Sequence, residues 1–116
     1  MIIAFEDVFP VLAGALGDFQ ATKEDWEERN AYFFLSDMVE FVCDRSYPGF
    51  PEYEIVMRQF SELLERLINE GDRNVNDLAH DALESVWERE ERAELAKHFG
   101  PKTQKLWERI CAGERG

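Results

Sequence analysis

The segment FSELLERLINEGDRNVNDLAHDALESVWERE, residues 60–90, decides the fold. Up to Glu70 its large apolar residues, Phe60, Leu63, Leu64, Leu67 and Ile68, recur three and four apart. That spacing puts them on one face of an α-helix. After Asp72 the same period resumes with Val75, Leu78, Ala79, Ala82, Leu83, Val86 and Trp87. Only Gly71-Asp72 separates the two runs. The glycine reads as a left-handed C-terminal cap and the aspartate as the N-cap of the following helix. A turn this short forces helices over about 52–70 and 73–89 into an antiparallel hairpin.

Working outward, the same period covers most of the chain. In IAFEDVFPVLAGALGDF, residues 3–19, Phe5, Val8, Phe9, Leu12 and Leu16 lie on one helical face. Pro10 fits there if Asp7 caps the helix, because the first turn has no intrahelical use for the missing N–H. Thr22 to Asp25 forms the next start signal. The run AYFFLSDMVEFVC, residues 31–43, is dense in large apolar groups, with Tyr32, Leu35, Val39 and Val42 in one stripe and Phe34, Met38 and Phe41 beside it. Such a helix is expected to be central to the core. Its remaining face carries Asp37, Glu40 and Asp44. SYPGFP, residues 46–51, then ends the helix, since each residue before a proline prefers extended backbone. A short helix ends near Phe99, and Gly100-Pro101 opens a last one with Leu106, Trp107, Ile110 and Cys111 on its apolar face.

No alternating run of β-branched residues competes with this reading. The expectation is therefore an all-α single domain over residues 1–116. It has five or six helices, arranged as an antiparallel helical bundle or a short helical-repeat-like stack.

Composition bounds the function. Apolar residues make up 45% of the chain, enough to place it among folded rather than disordered sequences. No apolar run approaches the roughly 20 residues that span a bilayer. The first ten residues lack a basic region and reach Glu6 and Asp7 at once, unlike a signal peptide. Cys43 and Cys111 are too few for a disulfide framework, so a cytoplasmic protein with reduced thiols is expected.

Thirteen basic residues face 25 acidic ones, a formal charge of −12. The asymmetry is strong. Residues 1–54 hold twelve acids and three bases, whereas residues 95–116 hold two acids and five bases. An acidic surface repels phosphate backbones and anionic lipids, so neither nucleic acid nor membrane is an expected partner. It speeds encounter with a basic protein. Solubility alone would also account for the charge.

The candidate chemistry is thin. Asp77, His80, Asp81, Glu84 and Glu88 share a helix face, and a histidine with a carboxylate one turn on is a possible metal pair. A metal centre of the His-Asp phosphohydrolase kind needs several histidines, and this chain has only His80 and His98. A zinc site asks for three or four closely spaced nitrogen or sulfur ligands. The face is expected simply to meet water. There is no Gly-rich phosphate loop of the G-x-x-x-x-G-K kind. Cys43 sits in an apolar helix beside Asp44, which raises rather than lowers a thiol pKa. No enzyme, catalytic residue, cofactor or metal is expected.

RSYPGFPEYE, residues 45–54, is the stronger candidate. Tyr47, Phe50 and Tyr53 lie on or beside a rigid turn at the end of the Asp37, Glu40, Asp44 stripe. Aromatic rings supply contact area and acids supply steering, the combination found at binding hot spots for a basic partner. The alternative is that the rings fold back and plug a gap between helices.

The segment from Phe60 to Glu90, with HFGPKTQKLWERI at residues 98–110, resembles a family of small all-helical bacterial proteins. The shared pattern falls on Glu65, Leu67, Gly71, Asp72, Asn76, Leu78, Leu83, Glu84, Val86, Phe99, Gly100, Pro101 and Thr103. The likeness covers roughly residues 55–110, and Gly-Asp and Gly-Pro within it are common helix punctuation. Some members of that kind resemble immunity proteins of toxin systems. The resemblance implies neutralisation of a toxin by direct binding and supplies no catalytic residue. The expectation is thus a non-enzymatic immunity-type protein whose partner is a basic protein, such as a toxin domain, met through Asp37, Glu40, Asp44, Tyr47, Phe50 and Tyr53. A helical adaptor that pairs with itself, a homodimer for example, is the alternative.

Overall fold

The hairpin anticipated around Gly71 organises the protein. The computed structural model describes residues 2–16 and 31–113, at Ala31 and Tyr32 the backbone only. The helix start expected at Thr22 to Asp25 and the side chain of Tyr32 lie outside the described residues. A 3₁₀ turn at Phe5–Asp7 leads into α1, Val8–Ala15. Then come α2 (Ala31–Cys43), α3 (Tyr53–Glu70), α4 (Arg73–Trp87), α5 (Arg92–Ala96) and α6 (Pro101–Cys111). The protein is an all-α helical bundle, with six α-helices and no strand among the described residues.

Helices α3 and α4 form the centre. Val56, Met57, Phe60, Leu63, Leu64 and Leu67 of α3 are buried, and so are Val75, Leu78, Ala79, Ala82, Leu83 and Val86 of α4. Ile68 and Trp87 close the two stripes half-buried. Helix α6 lies across both, α1 packs on α3, and α2 packs chiefly on α4. Helix α2 contributes heavily to the core, as its apolar density led us to expect. It buries Phe34, Leu35, Met38, Val39, Val42 and Cys43 on one side and leaves Phe33 56% exposed on the other.

The turn between α3 and α4 corrects one expectation. Gly71 is not left-handed; its φ of −74° and ψ of 151° are extended. The glycine is there for space, because a Cβ would lie 2.4 Å from both the Leu67 carbonyl oxygen and Val75 Cγ1. Extended backbone also lets the N-terminal segment strap onto the turn. Ile3 N–H donates to Glu70 O at 2.6 Å, and Asp72 N–H donates to Ile3 O at 2.8 Å. Asp72 is the expected N-cap, its Oδ1 accepting from Val75 N–H at 2.9 Å. Its other oxygen accepts from Phe5 N–H at 3.0 Å, so one carboxylate caps α4 and holds the strap. Asp7 occupies the N-cap position of α1, with Pro10 in the first turn as expected, but its side chain makes no capping bond.

A second carboxylate joins distant elements. Gly100 stands at the N-cap position of α6 with no capping side chain of its own. Glu65 of α3 supplies the cap, accepting from Lys102 N–H at 2.6 Å and Thr103 N–H at 3.3 Å. The buried Thr103 hydroxyl adds a bond to the same carboxylate at 3.5 Å. Pro101, first in the helix, has no N–H to satisfy there.

Candidate protein-binding face

The outer face of α2 holds the acids expected of it. Asp37, Glu40 and Asp44 are spaced three and four apart, with Glu40 and Asp44 exposed and Asp37 half-buried. Phe33 sits four residues before Asp37, so this exposed ring heads the same stripe. At the other end Asp44 meets Arg89 at 3.7 Å, and Arg89 also pairs with Glu91 at 3.4 Å. The stripe is therefore partly balanced where it approaches the end of α4.

Tight turns carry the chain out of α2. The buried Ser46 hydroxyl donates to Cys43 O at 2.8 Å, and Phe50 N–H donates to Tyr47 O at 2.9 Å. Within these turns Arg45 is clamped. Its guanidinium donates to Phe41 O at 3.0 Å, lies 3.7 Å from the centre of the Phe41 ring and 5.7 Å from that of Phe50. Tyr47 packs edge-on against Phe50 at 5.6 Å and remains 52% exposed. The result is a short stack, Phe41, Arg45, Phe50 and Tyr47, with the tyrosine outermost. A cation held between rings loses little further freedom on contact, so the stack presents Tyr47 on a stiff base.

Tyr53 is placed differently from Tyr47 and Phe50. Its hydroxyl donates to the Glu94 carboxylate, its oxygen lies 2.8 Å from His98 Nε2, and its ring packs edge-on to His98. That bond to Glu94, aided by burial, pushes the Tyr53 hydroxyl up to about 12. The bonds from Tyr53 and Lys97 hold Glu94 below the usual carboxylate range. Tyr53 thus ties the start of α3 to α5. Of the six residues singled out in sequence, the structure brings Asp37, Glu40, Asp44, Tyr47 and Phe50 to one end and face of α2, and turns Tyr53 toward α5.

Phe33 and Arg45 are the additions. Phe33 was legible from its spacing to Asp37, but the apolar density of AYFFL hid which of its rings points outward. Arg45 had no sequence signal, because its role depends on two rings meeting across a turn.

The histidine-bearing face of α4 is half-buried more than expected. His80 Nδ1 lies 2.7 Å from Glu84 Oε1, and burial raises the Asp81 carboxyl. Among the described residues no group of three or more histidines, cysteines and acids is gathered closely enough to hold a metal ion. Burial pushes the Cys43 thiol up to about 11. Among the described residues no helix is long and apolar enough to cross a membrane. Compared with protein-family models, with curated proteins and with solved structures, the chain gives no match.

Proposed function

We propose that this protein works by binding, without catalysis, a basic protein partner through the α2 face and the turn that follows it. The observation that carries the reading is the continuity of that face. Phe33, Asp37, Glu40 and Asp44 run along one helix and end at Tyr47, on its Phe41, Arg45 and Phe50 support. Acids of one sign raise the encounter rate with a cationic surface, and exposed rings supply the desolvated contact that slows release. The resemblance noted for residues 55–110 points to one setting for such chemistry, an immunity-type protein that occupies the cationic cleft of a toxin domain.

The experiment is recovery of the tagged protein from its own cells at low salt, with its bound partners identified. A basic partner recovered one to one and released by high salt is the expected result. Recovery of the chain with itself alone, as a salt-resistant dimer, would replace this reading with a self-pairing adaptor built on Tyr47 and Phe33.

A further inference from the structure

Helix α5 buries a single residue, Leu95, and is too short to persist by itself. Polar contacts hold it. At its start the Arg92 guanidinium donates to Trp87 O at 2.9 Å and lies 4.9 Å from the centre of the Trp87 ring, which ties it to the end of α4. Further along, Glu94 and His98 grip the Tyr53 hydroxyl of α3. A phenol has one proton to give. It goes to the Glu94 carboxylate, so the Tyr53 oxygen accepts from His98 Nε2–H at 2.8 Å. Lys97 Nζ, 3.0 Å from the second Glu94 oxygen, completes the cluster.

Tyr53 also closes the aromatic turn. Its N–H donates to Phe50 O at 3.0 Å, and Phe50 N–H donates to Tyr47 O at 2.9 Å. The turn that presents Tyr47 therefore ends, bond by bond, on the residue that α5 grips. Its other end reaches the same stretch of chain, because Asp44 meets Arg89 at 3.7 Å, between α4 and α5. That pair lies at the surface and adds little, so the Tyr53 cluster is the firmer joint. We propose that α5 is the latch of this turn: residues 46–53 and 92–98 open and close as one cooperative unit, joined through the Tyr53 hydroxyl. Within these two stretches only Ser46 and Leu95 are buried, and segments with so few buried contacts open before the core does. Resting on the α2-face reading, the consequence is reciprocal. A partner that engages Tyr47 steadies α5, and whatever displaces α5 loosens the turn by the same free energy.

The test is amide exchange on the full-length protein alone, at low and stepwise denaturant, so its failure and that of the binding reading stay distinguishable. The N–H groups of Phe50, Tyr53, Leu95 and His98 are expected to share one protection and one denaturant dependence. They should be at least about a hundredfold less protected than those of Leu64 and Leu83 in the core. Pro51→Gly frees the turn and changes nothing in α5, yet it should speed exchange at Leu95 and His98 by the same factor as at Phe50, about threefold. Tyr53→Phe keeps the ring and removes both hydroxyl bonds. It should part the two stretches, leaving Leu95 and His98 exchanging at least about threefold faster than Ser46 and Phe50. Arg89→Ala should leave the rates matched. Unequal protection of Phe50 and Leu95 in the wild type would overturn the proposal. So would a Pro51→Gly effect confined to the turn, or matched rates that survive Tyr53→Phe.

Discussion

Two carboxylates do most of the long-range stitching. Glu65 caps a helix 37 residues further along the chain, and Gly100 is what lets it approach, since a Cβ there would lie 2.9 Å from the Glu65 carboxyl carbon. Glu65→Ala should cost about 1–2 kcal/mol, the usual worth of a lost cap with its helix-end charge interaction. Gly100→Ala should cost no more than that, because the flexible carboxylate can swing away and lose the cap. The two changes should therefore be strongly non-additive in chemical denaturation; full additivity would mean that Glu65 is not the cap.

Asp81 makes a prediction of opposite sign. Burial raises its folded pKa above 3.8, so the folded state disfavours its charged form. The resulting destabilisation is complete above the folded pKa and disappears as pH falls below the unfolded value of about 3.8. Asp81→Asn should raise the melting temperature at pH 7 and leave it little changed near pH 3. A gain independent of pH would point away from the carboxylate's charge.

At the scale of elements, the hairpin was written in the spacing of apolar residues, and the structure reproduces its extent to within a residue or two. Periodicity could not say which helix lies at the centre. The apolar density of α2 singled out that helix, and the longer α3 and α4 bury full stripes of their own beside it. The Gly71 cap was misread because Gly-Asp between helices usually marks a left-handed turn. Here a strap from residues 2–5, invisible to local pattern, demands an extended glycine. Asp72→Ala removes both the α4 cap and the anchor of Phe5 N–H, so it should cost about 2 kcal/mol. It should also speed amide exchange at Ile3 and Phe5 more than in α6. Equal exchange in both places would mean that the strap holds without Asp72.

The candidate face was legible in the same uneven way. Its acids follow from helical spacing, and its aromatic turn from two prolines and a glycine. The partition of the rings was not legible. Tyr53 finds Glu94 and His98 only because α5, too short at five residues to persist alone, needs holding against the bundle. Tyr53→Phe should therefore return Glu94 toward the ordinary carboxylate range, read by NMR titration, while affinity for the partner changes less than with Tyr47→Ala.

For the whole molecule the decisive feature is charge of two signs kept apart. The acidic stripe lies on α2, and the cations of α6 border a cleft whose lining includes no residue of α2. A field of this kind acts mainly on association rates and is screened by salt. The central claim is that the α2 face, rather than overall acidity, captures a basic protein. Its most direct test is the association rate of the co-purified partner between about 50 and 500 mM salt, a range in which the screening length falls severalfold. It would be measured for the wild type, for Asp37→Lys with Glu40→Lys, and for Glu84→Lys with Glu88→Lys. Both double variants change net charge equally. The predicted result is a wild-type rate falling at least about tenfold with salt. The α2 variant should already be slow at low salt, and the α4 variant should stay near wild type. Equal slowing by the two variants would contradict the account, for the partner would then be reading charge without reading the face.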